Sequence, residues 1–121
     1  MKILIAEDDK FLVSAYKLKF EKEGEEVEVA FDGQEALEKF KSFKPDVVLL
    51  DLMMPKMDGF EVLEKLNKEG AMSVPIIVAS NLGQAEDVER AKKLGAIDYV
   101  VKSDIALDDL VAKVKSYAKS T

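Results

Sequence analysis

The stretch VVLLDLMMPKMDG, residues 47–59, decides the fold. Its first four residues form a continuous apolar run, which is typical of a strand buried on both faces. Pro55 and Gly59 indicate that the chain then turns and begins a new element. Asp51 therefore stands at the carboxyl end of a buried strand, the edge where open α/β sheets hold their ligands. A turn or helix-capping role is the alternative for a single aspartate at a loop.

Apolar runs on either side of this stretch alternate with segments of helical periodicity, which predicts a parallel sheet covered by helices. The predicted strands are residues 2–6, 27–30, 47–50, 76–79 and 97–101. The predicted helices begin near residues 9, 33, 58, 84 and 106. The second strand alternates in polarity, so we expect it at an edge with one solvated face. The expected fold is α/β, a (βα)5 doubly wound five-stranded parallel sheet in the flavodoxin-like order 2-1-3-4-5.

The composition limits the chemistry that this chain can perform. Its 121 residues suffice for one domain, residues 1–121, with a core of its own. It has neither cysteine nor histidine, which excludes disulfides, Cys- or His-based zinc sites and Ser-His catalysis. A net charge of -6 argues against nucleic acid or an anionic membrane as a direct partner. No apolar run has the length of a signal sequence or a membrane span, so we expect a cytoplasmic protein.

The residues that follow the predicted strands bring charges to one edge of the sheet. After the first, third, fourth and fifth strands come Glu7, Asp8 and Asp9, then Asp51, Ser80 and Lys102. Carboxylates about 4 Å apart repel by roughly 4 kcal/mol at an effective dielectric near 20, so such a cluster is tolerable if it holds a cation. All-oxygen ligation suits Mg²⁺, with Mn²⁺ as the alternative. Helix caps and a surface lysine would explain each residue singly, but not their arrival at one edge.

With these residues in view, the sequence resembles the CheY-like receiver domains of two-component response regulators over essentially its whole length. The matching motifs are Glu7-Asp8, LDLMMPKMDG at residues 50–59, Ala79-Ser80, and YVVK at residues 99–102. The resemblance implies that Asp51 accepts a phosphoryl group from the phosphohistidine of a histidine kinase, forming an acyl phosphate. It also implies that Asp8 and Asp51 ligate Mg²⁺ together with the backbone carbonyl of Met53, while Glu7 acts through water.

The same resemblance implies a switch. Lys102 would pair with the acyl phosphate, and Ser80 would hydrogen-bond a phosphoryl oxygen and move toward it. Tyr99 would then turn from an outward to an inward position, and a plain amphipathic place at the sheet margin is its alternative. The output would appear on the face made by the fourth helix, the fifth strand and the fifth helix. The chain would be a signalling protein and not an enzyme, since it catalyses only its own phosphoryl transfer and dephosphorylation.

The partners implied are a sensor histidine kinase or phosphotransfer protein upstream and an unidentified protein downstream. A monomer is expected, with dimerisation on phosphorylation left open. No DNA-binding or enzymatic segment follows Thr121, so we expect the output to pass through a protein contact. Whether the chain stands alone or is part of a longer regulator is also left open.

Three features bear on how closely the chain follows the family's pattern. The family usually has proline after the lysine, often with a cis peptide bond, whereas Ser103 follows Lys102 here, so the shape of this loop is open. Asp9 falls one position beyond the acidic pair and is expected to cap the first helix. Met53 and Leu82 occupy positions that in the family flank the water attacking the acyl phosphate. Both are apolar, which predicts slow self-dephosphorylation.

Three other functions fit the sequence less well. A phosphorylation-independent interaction module would carry a vestigial pocket, but every site position here keeps a competent residue. A Mg²⁺-dependent phosphohydrolase with an aspartate nucleophile usually has a second carboxylate two residues later, where this chain has Met53. A flavodoxin-like FMN carrier shares the fold, but the acidic loop after the first strand would repel the phosphate of FMN.

Overall fold

The computed structural model describes residues 1–70 and 73–118, and these form a five-stranded parallel sheet with helices on both faces. The strands are β1 (Lys2–Ala6), β2 (Glu26–Ala30), β3 (Val47–Leu50), β4 (Ile76–Ser80) and β5 (Asp98–Val101). The helices are α1 (Lys10–Lys22), α2 (Gly33–Phe43), α3 (Gly59–Lys68), α4 (Ala85–Lys93) and α5 (Leu107–Ala118), with a 3₁₀ turn over Lys102–Asp104. The strand order is 2-1-3-4-5, so the predicted fold is confirmed.

Two apolar layers hold the helices to the sheet. One layer lies under α2, α3 and α4 and includes Leu4, Val48, Leu50, Leu63, Leu66 and Val78. The other lies under α1 and α5 and includes Ile3, Ile5, Leu49, Phe20, Val111 and Val114. Neighbouring residues of one strand serve opposite layers because side chains alternate across a sheet. This double burial is why the central strands read as unbroken apolar runs.

Each of the two outer strands, β2 and β5, pairs with a neighbouring strand along one edge only. β2 pairs with β1 alone, as its alternating polarity predicted, and Glu28 on it forms an ion pair with Lys39 at 3.0 Å. β5 forms the opposite edge and begins at Asp98, one residue later than predicted. Ile97 remains 50% exposed there. No helix in the described ranges is long and apolar enough to traverse a bilayer.

The register of the central strands sets the positions of the residues that follow them. Ala6 pairs with Leu50, and Ser80 pairs with Val101. The residues next along the chain after β1 and β3 therefore leave the sheet side by side. The backbone of Asp51 is fixed to this ladder because its N–H donates to the carbonyl of Ala6 at 2.9 Å. The sheet itself, rather than a long loop, places the residues of the carboxyl edge.

The loop between β3 and α3 packs tightly against the start of α2. A β-carbon built on Gly33 would come within 2.0 Å of the carbonyl oxygen of Met57, so the two backbones touch. Beside this contact Lys56, at a left-handed φ of 67°, forms an ion pair with Asp32 at 3.6 Å. The loop then ends at Asp58, whose side chain caps α3. The first turn of α2 thus supports the loop that follows Asp51.

We expect Gly33→Ala to lower the free energy of unfolding by about 1–3 kcal/mol, because the added methyl forces two backbones apart. Alanine in place of glycine would otherwise stabilise by roughly 0.4–1 kcal/mol through the unfolded chain, so a loss identifies the clash. Urea denaturation followed by circular dichroism measures this difference. Gly83→Ala is the matched control, since its β-carbon would meet Val101 at an ordinary 3.4 Å. Equal stabilities of the two variants would contradict the tight contact.

Candidate functional site

Asp51 and Glu7 lie at the carboxyl edge of the sheet and are both buried. Asp51 is 6% exposed, and its Oδ1 accepts the backbone N–H of Met53 at 3.3 Å. Glu7 is 3% exposed, and its Oε2 accepts the backbone N–H of Asp9 at 3.0 Å. The backbone N–H of Glu7 donates to Ala30 at 3.0 Å, which continues the β1–β2 ladder. Both carboxylates are therefore held in fixed orientations.

Asp8 completes a group of three acids with these two residues. One carboxylate oxygen from each of Glu7, Asp8 and Asp51 lies within 4.8 Å of the others. Asp8 is exposed and faces the solvent side of the group. This all-oxygen donor set with an open side fits Mg²⁺, which binds through one or two carboxylates and keeps several waters. The acids predicted to gather at this edge do so, and their roles remain predictions.

Lys102 is the cation that faces this group. Its Nζ donates to Asp51 Oδ2 at 3.0 Å and also to Glu7 Oε1. Burial alone would lower the pKa of Lys102, but the hydrogen bond to Glu7 and the charge of Asp51 outweigh it and raise the pKa. The ammonium therefore stays charged at neutral pH. No peptide bond in the described residues is cis, so the Lys102-Ser103 bond is trans and the 3₁₀ turn still brings the lysine to the site.

Glu7 is the acid of this group whose ionisation is disfavoured by its surroundings. Burial raises the pKa of Glu7 from its ordinary 4.5 to about 7. Hydrogen bonds from Lys102 and from the backbone of Asp9 lower the pKa, and the charge of Asp51 raises it again. Burial dominates because ionisation in a poorly solvated place loses hydration that one shared ammonium does not replace. A cation bound beside Glu7 would favour its ionised form.

Ser80 and Tyr99 both contact the backbone of Leu82, in the loop between β4 and α4. Ser80 is fully buried, and its Oγ accepts the N–H of Leu82 at 3.3 Å. The hydroxyl of Tyr99 donates to the carbonyl of Leu82, and its ring packs against the apolar layer under α4. Burial raises the pKa of Tyr99 above its usual value. Tyr99 thus lies inward at the sheet margin, the orientation that the resemblance associates with the phosphorylated form.

The segments that follow β1, β3, β4 and β5 surround an open cavity of about 640 Å³ beside Asp51. Its rim combines the acids and Lys102 with apolar side chains that include Met53, Met54 and Leu82. Phe60, in the first turn of α3, forms part of the wall, and the guanidinium of Arg90 on α4 stacks on its ring at 4.1 Å. The sequence pattern did not indicate this wall, since Phe60 reads only as a core position of an amphipathic helix.

A doubly wound sheet that carries three acids and a lysine at its carboxyl edge is the arrangement of one class of protein, the signalling receivers. The family described as the response regulator receiver domain matches residues 3–115. The chain belongs to this family, the receiver domains of two-component systems.

Curated relatives match nearly the whole chain but only part of their own length. The chain is 38% identical over 120 residues to a probable transcriptional regulator, ycf27, of Cyanophora paradoxa, which covers 99% of this chain and 49% of the relative. It is 38% identical over 101 residues to the alkaline phosphatase synthesis transcriptional regulatory protein PhoP of Bacillus subtilis, covering 84% of this chain and 42% of the relative. The chain therefore spans about half the length of the curated relatives it matches.

Solved receiver domains match the whole fold. The Francisella response regulator 1452 receiver domain has a TM-score of 0.90 and 37% identity, covering 98% of this chain and 96% of that one. The BeF3-activated receiver domain of Klebsiella pneumoniae RstA has a TM-score of 0.90 and 28% identity, covering 99% of this chain and 100% of that one. These likenesses agree with the CheY-like fold expected from the sequence.

We expect Glu7→Gln to gain stability relative to the wild type as the pH rises. The pKa of Glu7 is higher in the folded chain than in the unfolded one, so its contribution is fully present below pH 4.5 and is lost as the pH rises toward about 7. Glutamine does not ionise and loses nothing. The difference between variant and wild type should grow by at least about 1 kcal/mol from pH 5 to pH 8. Urea denaturation with EDTA present measures it, and a difference independent of pH would contradict the raised pKa.

Proposed function

We propose that the chain is a phosphorylation switch, in which Asp51 accepts a phosphoryl group from the phosphohistidine of a histidine kinase or phosphotransfer protein. The observation that carries the proposal is the buried carboxylate of Asp51, hydrogen-bonded to Lys102 at 3.0 Å and open to a cavity of about 640 Å³. One side of this carboxylate faces space large enough for a phosphoryl group.

Asp51 would act as the nucleophile. One of its oxygens attacks phosphorus, the bond from phosphorus to the histidine nitrogen breaks, and that nitrogen keeps the electron pair. The contacts with Met53 and Lys102 fix the orientation of the carboxylate before the donor arrives, which favours reaction by positioning. Lys102 is already placed to pair with the oxygens of the acyl phosphate. The phosphoryl group remains on Asp51 instead of passing to a separate product, so the proposed role is signalling rather than enzymatic.

A divalent cation fits beside this nucleophile. Asp8, Asp51 and the backbone carbonyl of Met53 would hold Mg²⁺ directly, and Glu7 would hold it through water, with Mn²⁺ as a substitute. The cation supplies charge neutralisation to the transferring phosphoryl oxygens. The raised pKa of Glu7 supports this assignment, because a cation nearby would offset the desolvation that disfavours its ionised form.

The switch would operate through Leu82. Ser80 Oγ accepts the N–H of Leu82 at 3.3 Å, and on phosphorylation its hydroxyl would turn to donate to a phosphoryl oxygen on Asp51. Movement of Ser80 toward that oxygen would release the amide of Leu82, while Tyr99 keeps the carbonyl. The loop leads directly into α4, so the proposed output surface is the face of α4, β5 and α5. Phosphorylation would bias an equilibrium between two loop positions rather than create a new one.

A protein contact on that face would carry the signal onward. The curated relatives are named transcriptional regulators, and about half of their length lies outside the match. The downstream partner proposed here is therefore either a separate protein or a further segment of a regulator of that kind. A change from monomer to dimer on phosphorylation is compatible with this proposed output.

We expect incubation with acetyl phosphate and Mg²⁺ to add one phosphoryl group to the protein, as measured by intact mass. Asp51→Asn should add none, because the amide lacks a nucleophilic oxygen, and chelation of the metal should suppress the gain in the wild type. Circular dichroism of Asp51→Asn checks that the fold is kept. A folded wild-type protein that gains no mass would overturn the proposal and favour a phosphorylation-independent interaction module.

We expect Leu82→Glu to shorten the lifetime of the acyl phosphate. Leu82 lines the cavity, and a carboxylate there can accept a proton from the attacking water. The half-life should fall by about tenfold, less than the roughly hundredfold that a firmly positioned base contributes. Loss of the phosphoryl mass after removal of the donor measures it. Leu82→Met, which keeps the site apolar, is the matched control, and equal half-lives in the two variants would contradict the apolar rim as the cause of slow hydrolysis.

A further inference from the structure

The methionines of this chain differ sharply in their exposure. The chain has five methionines and no cysteine, so thioethers are its only oxidisable sulfur groups. Within the described residues, Met1, Met54 and Met57 are half-buried and pack against the apolar layers. Met53 is 57% exposed. Of these four methionines, Met53 is therefore the most accessible to an oxidant in solution.

Met53 is also closely tied to the phosphoacceptor. Its backbone N–H binds Asp51 Oδ1 at 3.3 Å, and the residue lines the cavity together with Asp8, Leu82 and Lys102. A chemical change of its side chain therefore alters the rim of the cavity in which the acyl phosphate would form. The same change at Met57 would disturb packing against α2 instead.

We propose that Met53 is a site of reversible oxidation by peroxides, and that its sulfoxide shortens the lifetime of the acyl phosphate on Asp51. The second part rests on the proposed function. In the reaction the sulfur lone pair attacks one oxygen of hydrogen peroxide, and the O–O bond breaks. That oxygen stays on sulfur, and the other leaves as water after taking both protons. Methionine sulfoxide is reducible, so the change can be reversed.

The effect on lifetime follows from the polarity of the rim. Hydrolysis of the acyl phosphate needs a water molecule in line with the bond from phosphorus to the oxygen of Asp51. A thioether is a weak acceptor and orders water poorly, whereas a sulfoxide oxygen is a strong hydrogen-bond acceptor. A single hydrogen bond that orients the attacking water corresponds to a rate change of about fivefold. We expect a change of that size from oxidation of Met53.

The test compares each protein with itself before and after mild treatment with hydrogen peroxide. Peptide mapping locates the added oxygen, and intact mass follows the loss of phosphoryl after acetyl phosphate is removed. Among Met1, Met53, Met54 and Met57, the wild type should carry its first oxygen on Met53, and it should lose phosphoryl about fivefold faster once Met53 is oxidised. Methionine sulfoxide reductase should restore the original rate. Met57→Leu should keep this response, while Met53→Leu should have the same lifetime with and without peroxide.

The outcomes separate this inference from the proposed function. Oxygen on Met1, Met54 or Met57 before Met53, or an equal lifetime before and after oxidation, overturns the inference while phosphorylation itself stands. A similar fall in lifetime in Met53→Leu overturns it as well, because the effect then comes from another residue. If the unoxidised wild type takes up no phosphoryl group, the proposed function fails, and the claim about lifetime fails with it.

Discussion

An imbalance of charge at the carboxyl edge of the sheet is the constraint on which the site depends. Three carboxylates meet there, and one ammonium, that of Lys102, contacts the two buried ones. Burial raises the pKa of Glu7 despite this contact, so the single ammonium does not fully offset the desolvation of that carboxylate. A buried charge without adequate partners destabilises a fold. Under the proposed function a bound cation would reduce this cost, so the residues that make the group costly are those that would hold the metal.

The sheet makes this imbalance possible because it holds the acids in place against their repulsion. Asp51 and Glu7 each extend a strand by one more backbone hydrogen bond, to Ala6 and Ala30. Neither residue can swing away without breaking a ladder that also carries the core. The loop after Asp51 is held separately, where Gly33 allows α2 to touch Met57. Strain between like charges is thus stored in a rigid frame, as is expected where positioning matters more than flexibility.

The sequence predicts the strands, their order and the residues that follow them, but not how individual side chains pack between helices and loops. Apolar runs placed all five strands, and the polarity of β2 put it at an edge. Asp9 caps α1 as expected, accepting the backbone N–H of Phe11 at 3.0 Å. The stacking of Arg90 on Phe60 could not be predicted, because it depends on how α3 and α4 pack. The inward orientation of Tyr99 likewise depends on a carbonyl 17 residues earlier in the chain.

The contacts of Leu82 provide a route by which a change at Asp51 would reach the face of α4, β5 and α5. Its amide and carbonyl are bound by two different side chains, Ser80 and Tyr99. A phosphoryl oxygen competes only for Ser80, so one of the two bonds can be exchanged while the other persists. Under the proposed function the loop would have two discrete arrangements, which is the physical requirement for transmitting a signal through a packed structure. The stack of Arg90 on Phe60 adds a second contact between the cavity wall and α4, so the helix is linked to the site at its start and along its length.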